Sequence, residues 1–465
     1  MEEEGVVKAL LGNVSYLYLW KILNFLTIIF MAKFLPIDQF GIAFLTLTII
    51  YFFTTFFGIR VKKLSEAKSI KKYCNTLIFL YPLIGAFIIV LLGLFKFIFP
   101  GLPFMLASLI VLLISIKSTP DIFYRSRGYE PKLYRTYAFS QIIASIAIVT
   151  MYYFNLGYKA VLFGYILFYL ISTIILWKDF PFKIKPKLDN KIVSDLSDDW
   201  KSHLINKSMV NMLTNGIMIF IALYYSLIDF SNLYLAYFIG YFLYENVTLF
   251  ITRLLSLKFV NMSYDLFKLN VVRLMEYLSF IIVPFGVTLM MLAYEFSRYV
   301  LNWVMFSNIF ALLVLTGMIR GVFETTRVIF LSERKEEIIT KIGLVEFFIL
   351  LVLTIILSHF FGLYGIALAL LISAIISSLF YILVTERLTK LNVLAVSKDY
   401  FYVLFAGIIT ALLMGLLKEW FPIKSIFSFM SSYVFGWILY LALIFMFNKE
   451  LYKRFIRFAF ELMEE

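Results

Sequence analysis

Charge is scarce in this chain. Only 15% of its 465 residues are Asp, Glu, Lys or Arg, against roughly a quarter in an ordinary soluble domain. Cysteine is scarcer: Cys74 stands alone, so no internal disulfide can form. The two histidines, His203 and His359, lie far apart, and no metal site is expected from them. No GxxxxGK[ST] phosphate loop occurs, which excludes nucleotide hydrolysis by that route. No cofactor motif is present. The chain opens on the acidic Met1-Glu2-Glu3-Glu4, so no cleavable signal peptide is expected and the first apolar segment would itself direct insertion.

Apolar residues are abundant. They make up 62% of the chain and aromatics 19%, with a mean hydropathy of +0.93. A helix needs about 20 apolar residues to cross about 30 Å of hydrocarbon. Fourteen such segments are expected at 14–34, 41–59, 75–95, 102–119, 136–154, 158–177, 207–227, 232–252, 274–294, 303–322, 340–358, 363–385, 399–418 and 426–447. Barrel strands would alternate over about ten residues; these segments are longer and apolar nearly all round. The pattern predicts an all-α polytopic membrane protein.

The basic residues orient it. About 35 of the 42 Lys and Arg fall on alternate loops, which places those loops and both termini in the cytoplasm. The net charge of +13 then reflects topology and contact with anionic membrane lipid. No nucleic-acid role follows, because the basic loops have no compact domain to organise them. The longest inward loop divides the chain. The spacing predicts an N-terminal six-helix half over 1–177 and a cytoplasmic linker over 178–206. A second six-helix half follows over 207–385, then helices 13 and 14 with a cytoplasmic tail over 386–465. In the linker Ile192, Leu196, Trp200 and Leu204 share one helical face, which suits a helix lying in the membrane interface. The tail shows the same pattern: Leu451, Phe455, Phe458 and Leu462 alternate with Lys453, Arg454 and Arg457. Pro82 and Pro284 are expected to kink the third and ninth spans.

An internal repeat spans the linker. Segment 154–175 resembles 360–381: each is a tight turn with Gly and Tyr followed by an apolar helix. Such repeats are common in transporters, with the substrate cavity between the halves. Three segments also carry a family resemblance. Ala32-Lys33-Phe34-Leu35-Pro36-Ile37-Asp38-Gln39-Phe40-Gly41 resembles the turn that leaves the first span of polysaccharide-export flippases. These are the Wzx-like group of the multidrug/oligosaccharidyl-lipid/polysaccharide transporter superfamily. Phe361-Gly362-Leu363-Tyr364-Gly365-Ile366-Ala367 resembles that group's turn before helix twelve, and Arg125 to Lys132 its basic loop after helix four. Lys33 stands where the group usually has Arg, and the Gly before Pro36 is missing. The resemblance implies a transporter that flips a lipid-linked (pyro)phosphate saccharide by alternating access, with a coupling ion possible and the oligomeric state open.

Polar residues inside the spans are the site candidates, since an ionisable group there costs about 2.5–3.5 kcal/mol or more unless it faces a cavity or partner. The first span carries Asn13, Lys21 and Asn24; the seventh Ser208, Asn211, Thr214 and Asn215. The eighth carries Tyr234, Tyr237, Tyr241, Glu245, Thr248 and Thr252 on one face. Substrate contacts are expected from Lys21, Asn24, Asn211, Asn215, Tyr241 and Glu245. For Lys21 three roles stay open: a point charge for a phosphate, a structural pair with Glu245, or snorkelling. Glu245 could equally titrate as a coupling carboxylate; Glu276 and Glu346 are lesser candidates. Arg60, Lys117, Arg253 and Arg320 lie at inner helix ends, either as topological anchors or as an entry funnel for an anionic headgroup. Two other functions compete. A multidrug antiporter of the same superfamily usually has twelve helices and intramembrane acids. A saccharide polymerase or glycosyltransferase needs a larger outward domain than these short loops provide.

The orientation is directly testable. In a Cys74→Ser background, Asp38→Cys and His359→Cys should react with an impermeant thiol reagent outside intact cells, and Ser65→Cys should not. Labelling of Ser65→Cys from outside would reverse the topology.

Overall fold

A computed structural model describes residues 2–57, 70–183, 185–194, 196, 211–248, 264–303, 307–327, 330, 336–389 and 398–464. Among them helices dominate and no strand occurs. The helices are α1 (Glu2–Phe34), α2 (Ile37–Phe53), α3 (Ile70–Ile98), α4 (Phe104–Ser126), α5 (Glu130–Tyr153), α6 (Tyr158–Lys178), α7 (Ile217–Tyr224) and α8 (Leu227–Leu243). Then follow α9 (Tyr264–Met291), α10 (Ser307–Phe323), α11 (336–361), α12 (363–389), α13 (Lys398–Trp420), α14 (Ile426–Phe447) and α15 (Lys449–Glu464). Ten described helices are long and apolar enough to cross a membrane, or 11 if a bent pair counts as one span. One of the ten is the continuous run that we divide into α11 and α12. Of the expected seventh and eighth spans only 207–210 and 249–252 lie outside the described residues; α7 and α8 are shorter than a full span, so fourteen separate spans are not counted among the described residues.

Contacts divide the chain into Met1–Ser231 and Asn232–Glu465. The division falls inside α8, because α7 packs on α2 and so belongs with the first unit. In that unit α2 is the centre. It is apolar all round, as a fully buried helix must be, and nearly every side chain from Phe40 to Phe53 is buried. Around it α1 packs on α5, α5 on α6, α4 on α6 and α3 on α4. The outer face of α3 shows Leu83, Phe87, Val90 and Leu94 to the surroundings, an apolar stripe suited to lipid. The linker is pinned to α3: Asn75 accepts from the backbone N–H groups of Lys185 (3.0 Å) and Lys187 (3.2 Å). Ile192 and Leu196 are buried on one face; Trp200 and Leu204 lie outside the described residues.

In the second unit α9 is the hub, packed on α10, α13 and α14. Helices α8 and α10 cross at backbone contact. A Cβ on Gly317 would sit 1.9 Å from the carbonyl oxygen of Gly240, so only glycine fits there. The tail helix α15 does not keep its apolar face for the membrane interface. Leu451 is fully buried, and the Phe455 ring stacks on Phe280 of α9 at 4.0 Å and 17°. Phe458 and Leu462 have no described side chains. Helices α3 and α9 run on through Pro82 and Pro284, and the sharp bend, 67°, comes at the break after Met291.

The repeat seen in sequence has a backbone counterpart. Gly157 enters α6 with φ 55° and ψ −133°; Gly362 enters α12 with φ 58° and ψ −137°. Both lie where side chains are strongly disfavoured and glycine is at home.

Glycine substitutions should separate these constraints. Gly317→Ala should lower the thermal unfolding midpoint of the purified protein, by overpacking worth about 1–3 kcal/mol or more. Gly343→Ala, on α11 with nothing within 4 Å, should hold or raise it, since alanine favours helix by up to about 1 kcal/mol. Equal midpoints for both variants would deny the close crossing.

Candidate functional site

The first unit gathers its polar side chains around one aromatic strip on α6. Tyr165, Phe168 and Tyr169 are spaced i, i+3, i+4 and so share a face. Tyr165 donates to Asn24 Oδ1 of α1 at 3.1 Å. Tyr169 donates to the Tyr51 hydroxyl of α2 at 3.3 Å. Against the same strip lies a buried cation. Lys117 of α4 donates to Asp121 Oδ2 at 2.8 Å and to the Tyr137 hydroxyl of α5 at 2.9 Å. Tyr137 in turn donates to the other Asp121 oxygen. The Lys117 ammonium also lies over two rings, 4.4 Å from the centre of Tyr137 and 5.9 Å from that of Tyr169. Trp20 of α1 completes the cluster, 5.1 Å from Tyr137 and parallel to Phe168 at 6.4 Å. Its neighbour in sequence, Lys21, is partly buried.

This cluster carries an excess of positive charge. Arg125, one turn beyond Asp121, interacts electrostatically with Asp121, Tyr134 and Tyr137. Among the described residues here, one carboxylate therefore faces two cations on α4. The seventh-segment residues join through α2. Asn211 Nδ2 donates to the Phe52 carbonyl at 2.7 Å and to Thr55 Oγ1, and Asn215 Nδ2 donates to Asn211 Oδ1 at 2.5 Å. Both asparagines flank or lie within a π-helical turn, Met212–Gly216. Such turns release backbone groups and recur at functional sites.

The second unit holds a different arrangement. Arg320 of α10 donates to Glu324 at 3.1 Å and to Glu346 of α11. Arg327 donates to Glu324 at 2.8 Å and to the Tyr244 hydroxyl at 2.8 Å, and Tyr244 also donates to Glu324. The guanidinium of Arg320 lies 5.5 Å from the ring centre of Tyr241, which itself stacks on Tyr237 at 4.0 Å. That of Arg327 lies 5.3 Å from Tyr381. Two arginines and two carboxylates balance.

The expected site residues therefore divide. Asn24, Asn211 and Asn215 are joined to the first unit's polar network, and Lys21 sits on α1 beside its Trp20 corner. Tyr241 belongs to the arginine network of the second unit. The Glu245 side chain, Arg60 and Arg253 lie outside the described residues. Lys117 and Arg320 are each about 8% exposed and engaged by carboxylates. An entry funnel needs solvated cations, and in this arrangement these two are paired inside their bundles. Glu346 is buried beside Arg320, and Glu276 is buried on α9. Sequence reasoning passed over Asp121 and Glu324. Each stands four residues after its cation, the spacing of a helical ion pair, and that signal was available.

The chain matches a family model for polysaccharide biosynthesis proteins over residues 30–304. It belongs to that family. Its fold is similar to a lipid II flippase, MurJ, in an inward closed conformation. The TM-score is 0.71 at 17% identity, covering 94% of this chain and 99% of that one. It is also similar to an inward-facing multidrug resistance MATE transporter of the MOP superfamily, with TM-score 0.57, 12% identity, and 83% and 99% coverage. A Vibrio cholerae MATE transporter, VcmN, follows at 0.51, 13%, 84% and 99%. No curated protein is a significant sequence match. The polysaccharide-export resemblance read from the turn motifs agrees with this family model, and the fold is similar to those of multi-pass membrane transporters.

The balanced network predicts how this family member tolerates charge loss. Glu324→Gln leaves two arginines sharing one carboxylate and should cost about 3–5 kcal/mol, lowering the unfolding midpoint. Adding Arg327→Gln restores the balance and should recover part of the loss. A double variant no better than the single would show that hydrogen-bond geometry, not charge count, holds the network.

Proposed function

We propose that this protein flips a lipid-linked saccharide precursor from the cytoplasmic to the outer leaflet for polysaccharide or glycoprotein assembly, by alternating access. It acts as a carrier and not as an enzyme. The observation that carries the reading is the first unit's cluster, with more cations than carboxylates beside tyrosines and asparagines. A phosphate or pyrophosphate supplies the missing negative charge. Tyrosine rings and amide side chains suit sugar hydroxyls and ring faces. Family membership and a fold shared with a lipid II flippase support the same reading.

In this mechanism Lys21 meets the phosphate as a point charge while Asn24, Asn211 and Asn215 present amides to the saccharide. Tyr241 and Glu245 of the eighth segment are the further substrate contacts that the sequence pattern suggests. The lipid tail stays in the bilayer throughout.

A second reading, a multidrug antiporter, is favoured by the likeness to MATE transporters. The two differ in the charge of their cargo, and the cation excess on α4 argues for an anion.

The test uses purified protein in proteoliposomes. Wild type should move a fluorescent lipid-linked pyrophosphate saccharide between leaflets and should not export a cationic dye. Lys21→Ala should reduce flipping at least tenfold at unchanged expression, and Lys21→Arg should retain part of it, since the two cations are not equivalent. Dye export without flipping would establish the antiporter instead. Undiminished flipping by Lys21→Ala would remove that residue from the site.

A further inference from the structure

The tail helix α15 has one face accounted for and one that is not. Leu451 and Phe455 are packed onto the second unit, so the described part of the hydrophobic side is covered by the protein itself. Its orientation is fixed at two more points by Asp399, at the start of α13. Asp399 accepts from Asn448 Nδ2 at 2.8 Å and from Arg454. The remaining face is basic. Lys449, Lys453 and Arg457 follow one another at i, i+4, i+8, which stacks them along one side of the helix. All three are exposed, and with Glu450 and Arg454 they line a shallow surface depression.

The position of this face relative to the apolar surface decides what it meets. Helix α14 ends immediately before it, and Phe445 and Met446 there are 44% and 75% exposed. The Lys449 ammonium lies over the Phe445 ring at 5.4 Å, and Tyr452 meets the same ring edge-on at 5.5 Å. The basic row thus begins where the apolar surface of a membrane-crossing helix stops. A cation at that boundary lies at the level of lipid headgroups, with its alkyl stem on the apolar side.

We infer that the exposed face of α15, through Lys449, Lys453 and Arg457, is a docking surface for the phosphate headgroups of anionic lipids in the adjoining leaflet. The ligand chemistry is a phosphodiester carrying net negative charge. Arg454 is committed to Asp399, so it serves as the clamp and not as a contact. Because the helix is already docked on the second unit, binding needs no folding step and no insertion of apolar side chains. Each cation near an anionic surface is worth about a fivefold gain in affinity, and three together well over about tenfold, falling as salt rises. This surface is independent of the transport reading and would exist in a flippase or an antiporter alike.

The experiment measures lipid retained by the purified full-length chain. Protein in a zwitterionic detergent–lipid mixture is titrated with phosphatidylglycerol, and bound lipid is read by native mass spectrometry. The triple variant Lys449→Gln, Lys453→Gln, Arg457→Gln removes the row while sparing Arg454 and the docked face. A control, Lys183→Gln, Lys185→Gln, Lys187→Gln, removes the same charge from the linker. Wild type and control should retain phosphatidylglycerol alike, and the tail variant should need more than about tenfold more lipid for the same occupancy. Phosphatidylcholine should bind all three equally. Equal loss in the control would reduce the effect to net charge and overturn the site. Retention by the tail variant at the wild-type level would overturn it too, as would competition by millimolar inorganic phosphate that strips the lipid. The variant's fold is checked independently by its thermal unfolding in zwitterionic lipid alone, which should match wild type.

Discussion

Charge inside a bundle of lipid-embedded helices has no water to fall back on, and this constraint organises both units. An unpaired ion in a low-dielectric interior costs several kcal/mol, more than one helix contact returns. The chain meets it by placing cation and carboxylate one turn apart on the same helix, Lys117 with Asp121 and Arg320 with Glu324. A pair on one helix forms as that helix forms, before any partner arrives. Tyrosine hydroxyls from neighbouring helices then close the remaining valences: Tyr137 in one case, Tyr244 in the other. The ion pairs thereby become the points at which separate helices are tied together.

The same scarcity of polar partners explains the rest of the packing. With lipid as apolar as the side chains, helices gain little from hydrophobic burial against one another and rely on close approach. Hence the bare backbone contact between Gly240 and Gly317, and hence α2, apolar on every side, at the centre of the first unit. Turns must also be compact, because exposed backbone within the hydrocarbon is not tolerated. Gly157 and Gly362 meet that demand with the same left-handed backbone, and this is why the internal repeat shows most clearly at those two positions.

Much of this was legible in the chain. Long apolar runs and alternating basic loops are properties of single segments, and the helices of the structure fall where those runs do. The turn motifs at Ala32–Gly41 and Phe361–Ala367 led to the right family because they encode backbone shape. What could not be read were pairings between segments. Asn24 and Tyr165 are far apart in sequence, and nothing local couples them. The tail shows the opposite failure. Its amphipathic pattern was correct, but such a pattern states only that one face is buried, and a protein core satisfies it as well as a membrane does. Pro82 and Pro284 lie inside continuous helices, and the sharp break of the chain that no proline marks comes after Met291.

The choice of cation in each cluster carries the last distinction. Arg320 has a planar fork with five donors, and it serves two carboxylates at once, Glu324 in the turn just after α10 and Glu346 on α11. Such a group is fixed in direction, and its neighbours are fixed with it. Lys117 has three donors on a flexible stem and serves one carboxylate, one hydroxyl and two ring faces. Its contacts are weaker in geometry and easier to exchange. With Arg125 beside it and Asp121 as the one carboxylate between them among the described residues, the first cluster carries net positive charge where the second is balanced. The proposed division of labour follows from that contrast: the arginine network holds a bundle together, and the lysine cluster keeps a net positive charge that attracts an anion.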